Sequence, residues 1–190
     1  MSNRDARHTL QILSRPSLLQ VTRDVPIYAV DMYGRPWDLG ADPTPGVWLN
    51  APFQQFAADT DQGICASVNI PYDRVSGTDI KFYLVYSVVN APGGGTIMWR
   101  IDYLVRGHRN IWSVAPTQRH LPTVAPFSTF LSLDRTTSII VPAATVDQQW
   151  ALEHPVEFHL AFIREGTHID DTETSIVYLL KAVMEYQSAY

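Results

Sequence analysis

The sequence predicts an all-β fold, a two-sheet antiparallel sandwich, and three observations carry that prediction. The first is the stretch from Asp79 to Arg106. Ile80, Phe82, Leu84, Tyr86 and Val88 alternate with Lys81, Tyr83, Val85, Ser87 and Val89, and after Asn90-Ala91-Pro92-Gly93-Gly94-Gly95 the alternation resumes with Ile97, Trp99, Ile101, Tyr103 and Val105 on one face. Side chains on a strand alternate sides, so this reads as a hairpin with one apolar and one mixed face. The second is that a hairpin cannot bury such a face alone and requires a second sheet. The third is the punctuation: roughly eight to ten strand-like runs, cut by prolines and glycines, with few helical signals.

Along the chain, residues 1–24 show no clean period and read as an extended arm, or as one added edge strand over Thr9 to Leu13. Arg4, Arg7, Arg15 and Arg23, partly offset by Asp5 and Asp24, make that arm mildly basic, as a solvated segment would be. Val25 to Asp31 alternates as a strand, with Pro26 where a missing N–H is tolerated. Asp31 to Pro45 is loop, Val47 to Asn50 a short strand, Ala51 to Asp61 irregular, and Gly63 to Ile70 a strand stopped by Pro71. After the long hairpin comes a short strand over Asn110 to Val114. Pro116, Pro122 and Pro126 then forbid regular structure from Ala115 to Pro126.

Phe127 to Leu133 and Thr137 to Val141 read as a hairpin turning at Asp134-Arg135. Pro142 to Leu152 is a short helix or a loop. Val156, Phe158, Leu160 and Phe162 mark a strand, Gly166 to Thr174 a polar loop, and the last strand places Ile176, Tyr178, Leu180, Ala182, Met184 and Tyr186 on one face. The division is an arm, 1–24, and a single domain, 25–190. A jelly roll is the preferred sandwich, although periodicity alone does not separate it from other Greek-key topologies.

Composition narrows the function classes. The chain has 190 residues, 46% hydrophobic and 17% charged, against a usual charged share of about a quarter. Its only lysines are Lys81 and Lys181, and lysine is depleted where surfaces meet partners. A formal net charge of −5 argues against a general nucleic-acid binder. Cys65 is the single cysteine, so no intrachain disulfide or thiolate metal cluster exists, and its strand-like setting suits a buried small hydrophobe. No signal peptide is read at the N-terminus, and no apolar run approaches the ~20 residues of a membrane helix.

Two segments resemble a known group. Phe82-Tyr83-Leu84-Val85-Tyr86-Ser87, the glycine-rich turn and Thr96-Ile97-Met98-Trp99-Arg100-Ile101-Asp102-Tyr103 are similar to the central hairpin of jelly-roll virion proteins of bacteriophages. Arg164-Glu165-Gly166-Thr167, Asp170-Asp171-Thr172 and the terminal Val183-Met184-Glu185-Tyr186 resemble their closing pattern. The resemblance spans residues 60 to 187 and implies a capsid coat, decoration, tail-fibre or spike protein that is oligomeric, with trimers common.

Candidate sites are few. Asp170, Asp171 and Glu173 supply oxygen ligands for calcium, or a carboxylate that satisfies backbone N–H groups in a tight turn. Glu157 and His159 share a strand face, as solvent or subunit surface rather than a proton-transfer site. Gly93-Gly94-Gly95 lacks the Lys-Ser/Thr and helix of a phosphate loop, and no serine sits in Gly-x-Ser-x-Gly. Trp37, Trp48, Trp112, Trp150 and Tyr72 fall in loops or at strand edges, where they would anchor a neighbouring subunit, stack on a glycan or pack locally. The expectation is a non-enzymatic structural protein of a phage virion, made in the host cytoplasm. It needs no cofactor and its partners are copies of itself, as a trimer or higher, and other virion proteins. The alternative is a receptor-binding module of a fibre or spike that recognises host carbohydrate.

Overall fold

Strands with one apolar face must be covered, and the chain meets this with two antiparallel sheets laid face to face. The computed structural model describes residues 20–34, 36, 41–48, 50–88, 94–107, 116–124, 132–152 and 155–189. The elements are β1 (Gln20–Tyr28), a single 3-10 turn (Ala29–Asp31), β2 (Thr44–Trp48), β3 (Ala51–Phe56), β4 (Asp61–Asn69), β5 (Ile80–Val88), β6 (Thr96–Gly107) and β7 (Thr117–Val124). They continue with β8 (Ser132–Arg135), β9 (Ile139–Val141), α1 (Ala143–Leu152), β10 (Val156–Glu165) and β11 (Val177–Ala189). The larger sheet runs β2-β3-β11-β5-β8, with β1 also on β11 and β9 also on β5, and the smaller runs β4-β10-β6-β7. The fold is the two-sheet antiparallel β-sandwich that the alternation predicts, of the jelly-roll type preferred from the sequence.

The long hairpin is a correction. β5 pairs with β11, β8 and β9 in the larger sheet, whereas β6 pairs with β10 and β7 in the smaller one. The chain crosses between sheets, so the two apolar faces oppose each other instead of lying side by side. Period-two alternation fixes which side of a strand is apolar but not which strand lies beside it. The residues on those faces are as expected: Ile80, Phe82, Leu84, Tyr86 and Val88 meet Ile97, Trp99, Ile101 and Tyr103 in one core. Trp99 has no exposed surface and lies edge-on to Phe56 at 5.2 Å, and Phe82 is edge-on to Phe158 at 4.9 Å.

Five further expectations change. Residues 51–61 are not all irregular, because β3 pairs with β2 around a tight turn in which Asn50 adopts φ 65°. Residues 115–126 contain β7, an edge strand paired only to β6 among the described residues, where Pro122 opposite Met98 is tolerated. β8 and β9 do not pair with each other but lie end to end along β5. Between them Thr136 continues the ladder by donating N–H to Leu84 O (3.0 Å) and accepting Leu84 N–H on Oγ1 (3.1 Å). In β11 an irregularity between Leu179 and Lys181 switches the faces, so Val177 and Leu179 join Ala182, Met184 and Tyr186 in the core and Tyr178 faces out. β1 begins at Gln20, earlier than the expected strand. The predicted strand 110–114 and residues 1–19 lie outside the described residues.

The helix over 142–152 does form. Asp79 Oδ1 accepts Ala143 N–H at 2.8 Å, capping α1 from a distant loop, and Arg74 Nη1 donates to Asp147 Oδ1 at 2.6 Å. Burial, the largest single influence, pushes the Asp147 carboxyl up, but Arg74 and the Gly77 N–H together outweigh it and hold the group below its ordinary 3.8. A carboxyl lowered on folding contributes stability above its unfolded value, lost as pH falls through the lowered one. Asp147→Asn is therefore expected to cost about 1–2 kcal/mol at neutral pH, with the gap to wild type narrowing below about pH 4 in urea titrations. Gly166 is constrained differently: a Cβ there would lie 2.8–2.9 Å from Ala58 O, Thr60 O and Thr60 N. Since all three are backbone atoms, Gly166→Ala is expected to lose about 1–3 kcal/mol, read as a lower melting temperature.

Candidate functional site

The loop after β10 shows what the closing pattern of the sequence does. Arg164 points into the sandwich with no exposed side chain. It donates Nε to Asp171 Oδ2 (3.0 Å), Nη2 to Asp171 Oδ1 (2.9 Å), Nη1 to Ser175 O (2.8 Å), and Nη2 also to Glu173 O. Asp171 Oδ2 additionally accepts Met98 N–H from β6 at 3.1 Å. Of the calcium candidates, Asp171 is thus committed to a guanidinium, Glu173 is buried with Oε1 accepting Ser175 N–H (2.8 Å), and Asp170 is largely exposed. Among the described residues no group of three or more His, Cys, Asp or Glu is placed to hold a metal ion. In this segment the Asp171 carboxylate takes the buried Arg164 guanidinium as its main partner and accepts one N–H from β6.

Of the five aromatic candidates, the side chains of Tyr72 and Trp150 are described, and these two lie together. Tyr72 is 74% exposed and meets the half-buried Trp150 edge-on at 5.6 Å, where Trp150 packs against the core. This is local packing with one exposed ring. Trp48 ends β2, but its side chain lies outside the described residues, as do Trp37 and Trp112 altogether.

The outer face of the smaller sheet is polar and ordered. Tyr33 Oη lies 2.9 Å from Ser67 Oγ, Ser67 Oγ 3.1 Å from His159 Nδ1, and His159 Nε2 2.8 Å from Glu157 Oε1. Beside this row Arg100 donates to Asp102 (3.1 Å) and Glu165 (3.0 Å), and Glu165 Oε2 pairs with His120 Nδ1 at 2.9 Å. Ser67 lies mid-strand in β4, without the sharp strand-to-helix turn that exposes a nucleophilic hydroxyl.

The outer face of the larger sheet is different and was not singled out by the sequence reading. Register aligns Tyr28, Lys181, Val85 and Arg135 in one row, Pro26, Val183 and Tyr83 in the next, and Asp24, Glu185, Lys81 and Ile140 in a third. Leu133 lies beside Ser87 at one end. Tyr28, Ile140 and Leu133 are 48%, 51% and 66% exposed. The charges are mutually engaged: Lys81 with Glu185 at 2.9 Å, Arg135 over the Tyr83 ring at 5.5 Å, Lys181 over Tyr28 at 5.9 Å. Burial, with the nearby Asp24 carboxylate, pushes the Tyr83 phenol up, so it stays neutral at physiological pH. The available signal was the mixed face of β5, where Tyr83 and Val85 stand between Lys81 and Ser87.

No family model matches the chain, and no curated protein matches it. Solved structures are similar to the chain at low identity and low TM-score. A chain of infectious bursal disease virus, Gx strain, is 13% identical, with 89% of this chain and 32% of that one covered and a TM-score of 0.42. Dimeric latent PorU from Porphyromonas gingivalis is 10% identical over 93% of this chain and 14% of its own, TM-score 0.40. A family 35 carbohydrate-binding module from Clostridium thermocellum is 10% identical over 85% and 97%, TM-score 0.40. The chain spans well under two thirds of the first two proteins, and the likeness is one of fold alone.

If Arg164 pins the loop, Asp171→Ala leaves a guanidinium buried without its carboxylate and is expected to cost about 3–5 kcal/mol in urea unfolding. Replacing both partners by apolar residues, Arg164→Met with Asp171→Leu, should recover part of that loss, because neither member of the pair is then left buried without the other.

Proposed function

We propose that the chain is a non-enzymatic structural protein of a bacteriophage particle, a capsid coat or decoration subunit working through homo-oligomeric assembly, as a trimer or higher. The outer face of the larger sheet is the observation that supports this reading. It offers Tyr28, Val85, Ile140 and Leu133 beside charges that already have partners, so docking buries apolar area without stripping an isolated ion. The sequence resemblance to phage virion jelly rolls supports the particle as its setting. In that setting the chain is made in the host cytoplasm and contacts other virion proteins, and the sandwich acts as a rigid block needing no cofactor.

Both lysines of the chain lie on this face, which gives a direct test. Acylation by an amine-reactive ester should label Lys81 and Lys181 in the monomer and spare both in the assembled protein, read by peptide mass spectrometry. Ile140→Glu with Leu133→Glu should shift the oligomer to monomer in light scattering, with the melting of the monomer preserved. Full labelling of both lysines in the assembly would place the contact elsewhere, and an oligomer that survives the double substitution would do the same. Antibody label absent from purified phage particles would remove the virion setting itself.

A further inference from the structure

A separate feature lies where α1 passes over the end of β6. The helix is fixed by the Asp79 cap and the Arg74–Asp147 pair, and it turns Val146 into the core. Thr145, Gln148 and Gln149, spaced as i, i+3 and i+4, share another helical side. That side faces Tyr103 and Val105 of β6 and Thr117 of β7 across a cleft of about 300 Å³, near the lower end of the roughly 300–1,000 Å³ that small ligands occupy.

The chemistry of the lining restricts the occupant. Among the described residues two amides, two threonines and a tyrosine border the cleft beside Leu104, Val105 and Ala144, and no carboxylate, imidazole, lysine or arginine does. An amide side chain carries two donors and an acceptor, and a hydroxyl carries both functions, so the walls match a ligand with adjacent hydroxyl groups. An ionised ligand would find no countercharge among these described groups, and a wholly apolar one would desolvate the amides without replacing their hydrogen bonds. We infer that the cleft between α1 and β6 binds a neutral saccharide unit, held by hydrogen bonds from Gln148, Thr145 and Thr117. The inference is independent of whether the larger sheet mediates assembly.

The test is saturation-transfer NMR on the full chain with the methyl glycosides of glucose, galactose and N-acetylglucosamine, each at about 10 mM, a concentration that detects millimolar affinity. Transfer from at least one of them is expected, with affinity at least about tenfold weaker in Gln148→Ala/Thr145→Val. Thr117→Val, on the opposite wall and outside the helix, should weaken the same ligand and covers the case in which the helix variant fails to fold. Absence of transfer from all three glycosides overturns the inference. So does binding that Thr117→Val and the helix variant both leave intact, or glucuronate binding as tightly as the neutral sugars.

Discussion

The constraint on which the sandwich depends is the buried pair between Arg164 and Asp171, both without exposed side-chain surface. Arg164 ends β10 in the smaller sheet, and the loop it grips leads into β11, the strand of the larger sheet that pairs with β1, β3 and β5. Asp171 also takes Met98 N–H, while Thr172 and Glu173 both donate backbone N–H to Thr96 O at 2.8 and 3.0 Å. One ion pair therefore joins β10, the start of β6 and the approach to β11. Placing two charges inside is unfavourable unless each remaining donor is met. Here Ser175 O and Glu173 O receive the other guanidinium N–H groups, so the pair acts as a positional clamp with its desolvation offset by directed hydrogen bonds.

Two glycines show how closely the loop is drawn in. Gly166 runs against the backbone of Ala58 and Thr60, and at Gly95 a Cβ would come within 2.7 Å of Glu173 Oε2 and 3.0 Å of Glu173 Cα. Gly95 belongs to the glycine-rich stretch that the sequence presents as a hairpin turn. Its demonstrated role is to let the 171–173 segment lie against the start of β6. Thr167 adds a tie to the other edge, donating both N–H and Oγ1–H to Asp61 Oδ1 at 2.9 and 2.8 Å.

Which parts of this were legible follows from what local pattern encodes. Alternation identified the inward residues of β5, β6 and β10 correctly, because burial of every second side chain is written into each strand separately. Pairing was not legible for β5 and β6, since a turn sequence between two strands is the same whether they lie in one sheet or in two. β7 was hidden by Pro122, which reads as an interruption but sits on an edge strand that accepts a missing N–H. The face switch in β11 arises from an irregularity against β5, a property of the pair and not of the strand. At the site level, Tyr72 and Trp150 were found as aromatics, but their contact with each other depends on the loop that brings them together. The outer face of the larger sheet combines short runs from five strands, none of which stands out alone.

The two outer faces differ in the desolvation cost that a docking partner would meet. On the smaller sheet Met98, Asp102, Arg106, Ile163 and Glu165 are already buried, and Ser67, His159, Glu157, Arg100 and His120 are held in continuous hydrogen-bonded rows. A partner pressed onto those rows would have to reproduce their remaining water contacts group by group, which makes tight general docking costly. On the larger sheet the exposed area is Tyr28, Ile140 and Leu133, with Lys81 and Arg135 committed to Glu185 and Tyr83 within the same face. Removing water there releases apolar surface and leaves the ionic pairs intact, at roughly 25 cal/mol per Å² before association costs. In the assembly proposed above, a sandwich held by a buried clamp would lose less entropy at each contact than a mobile one.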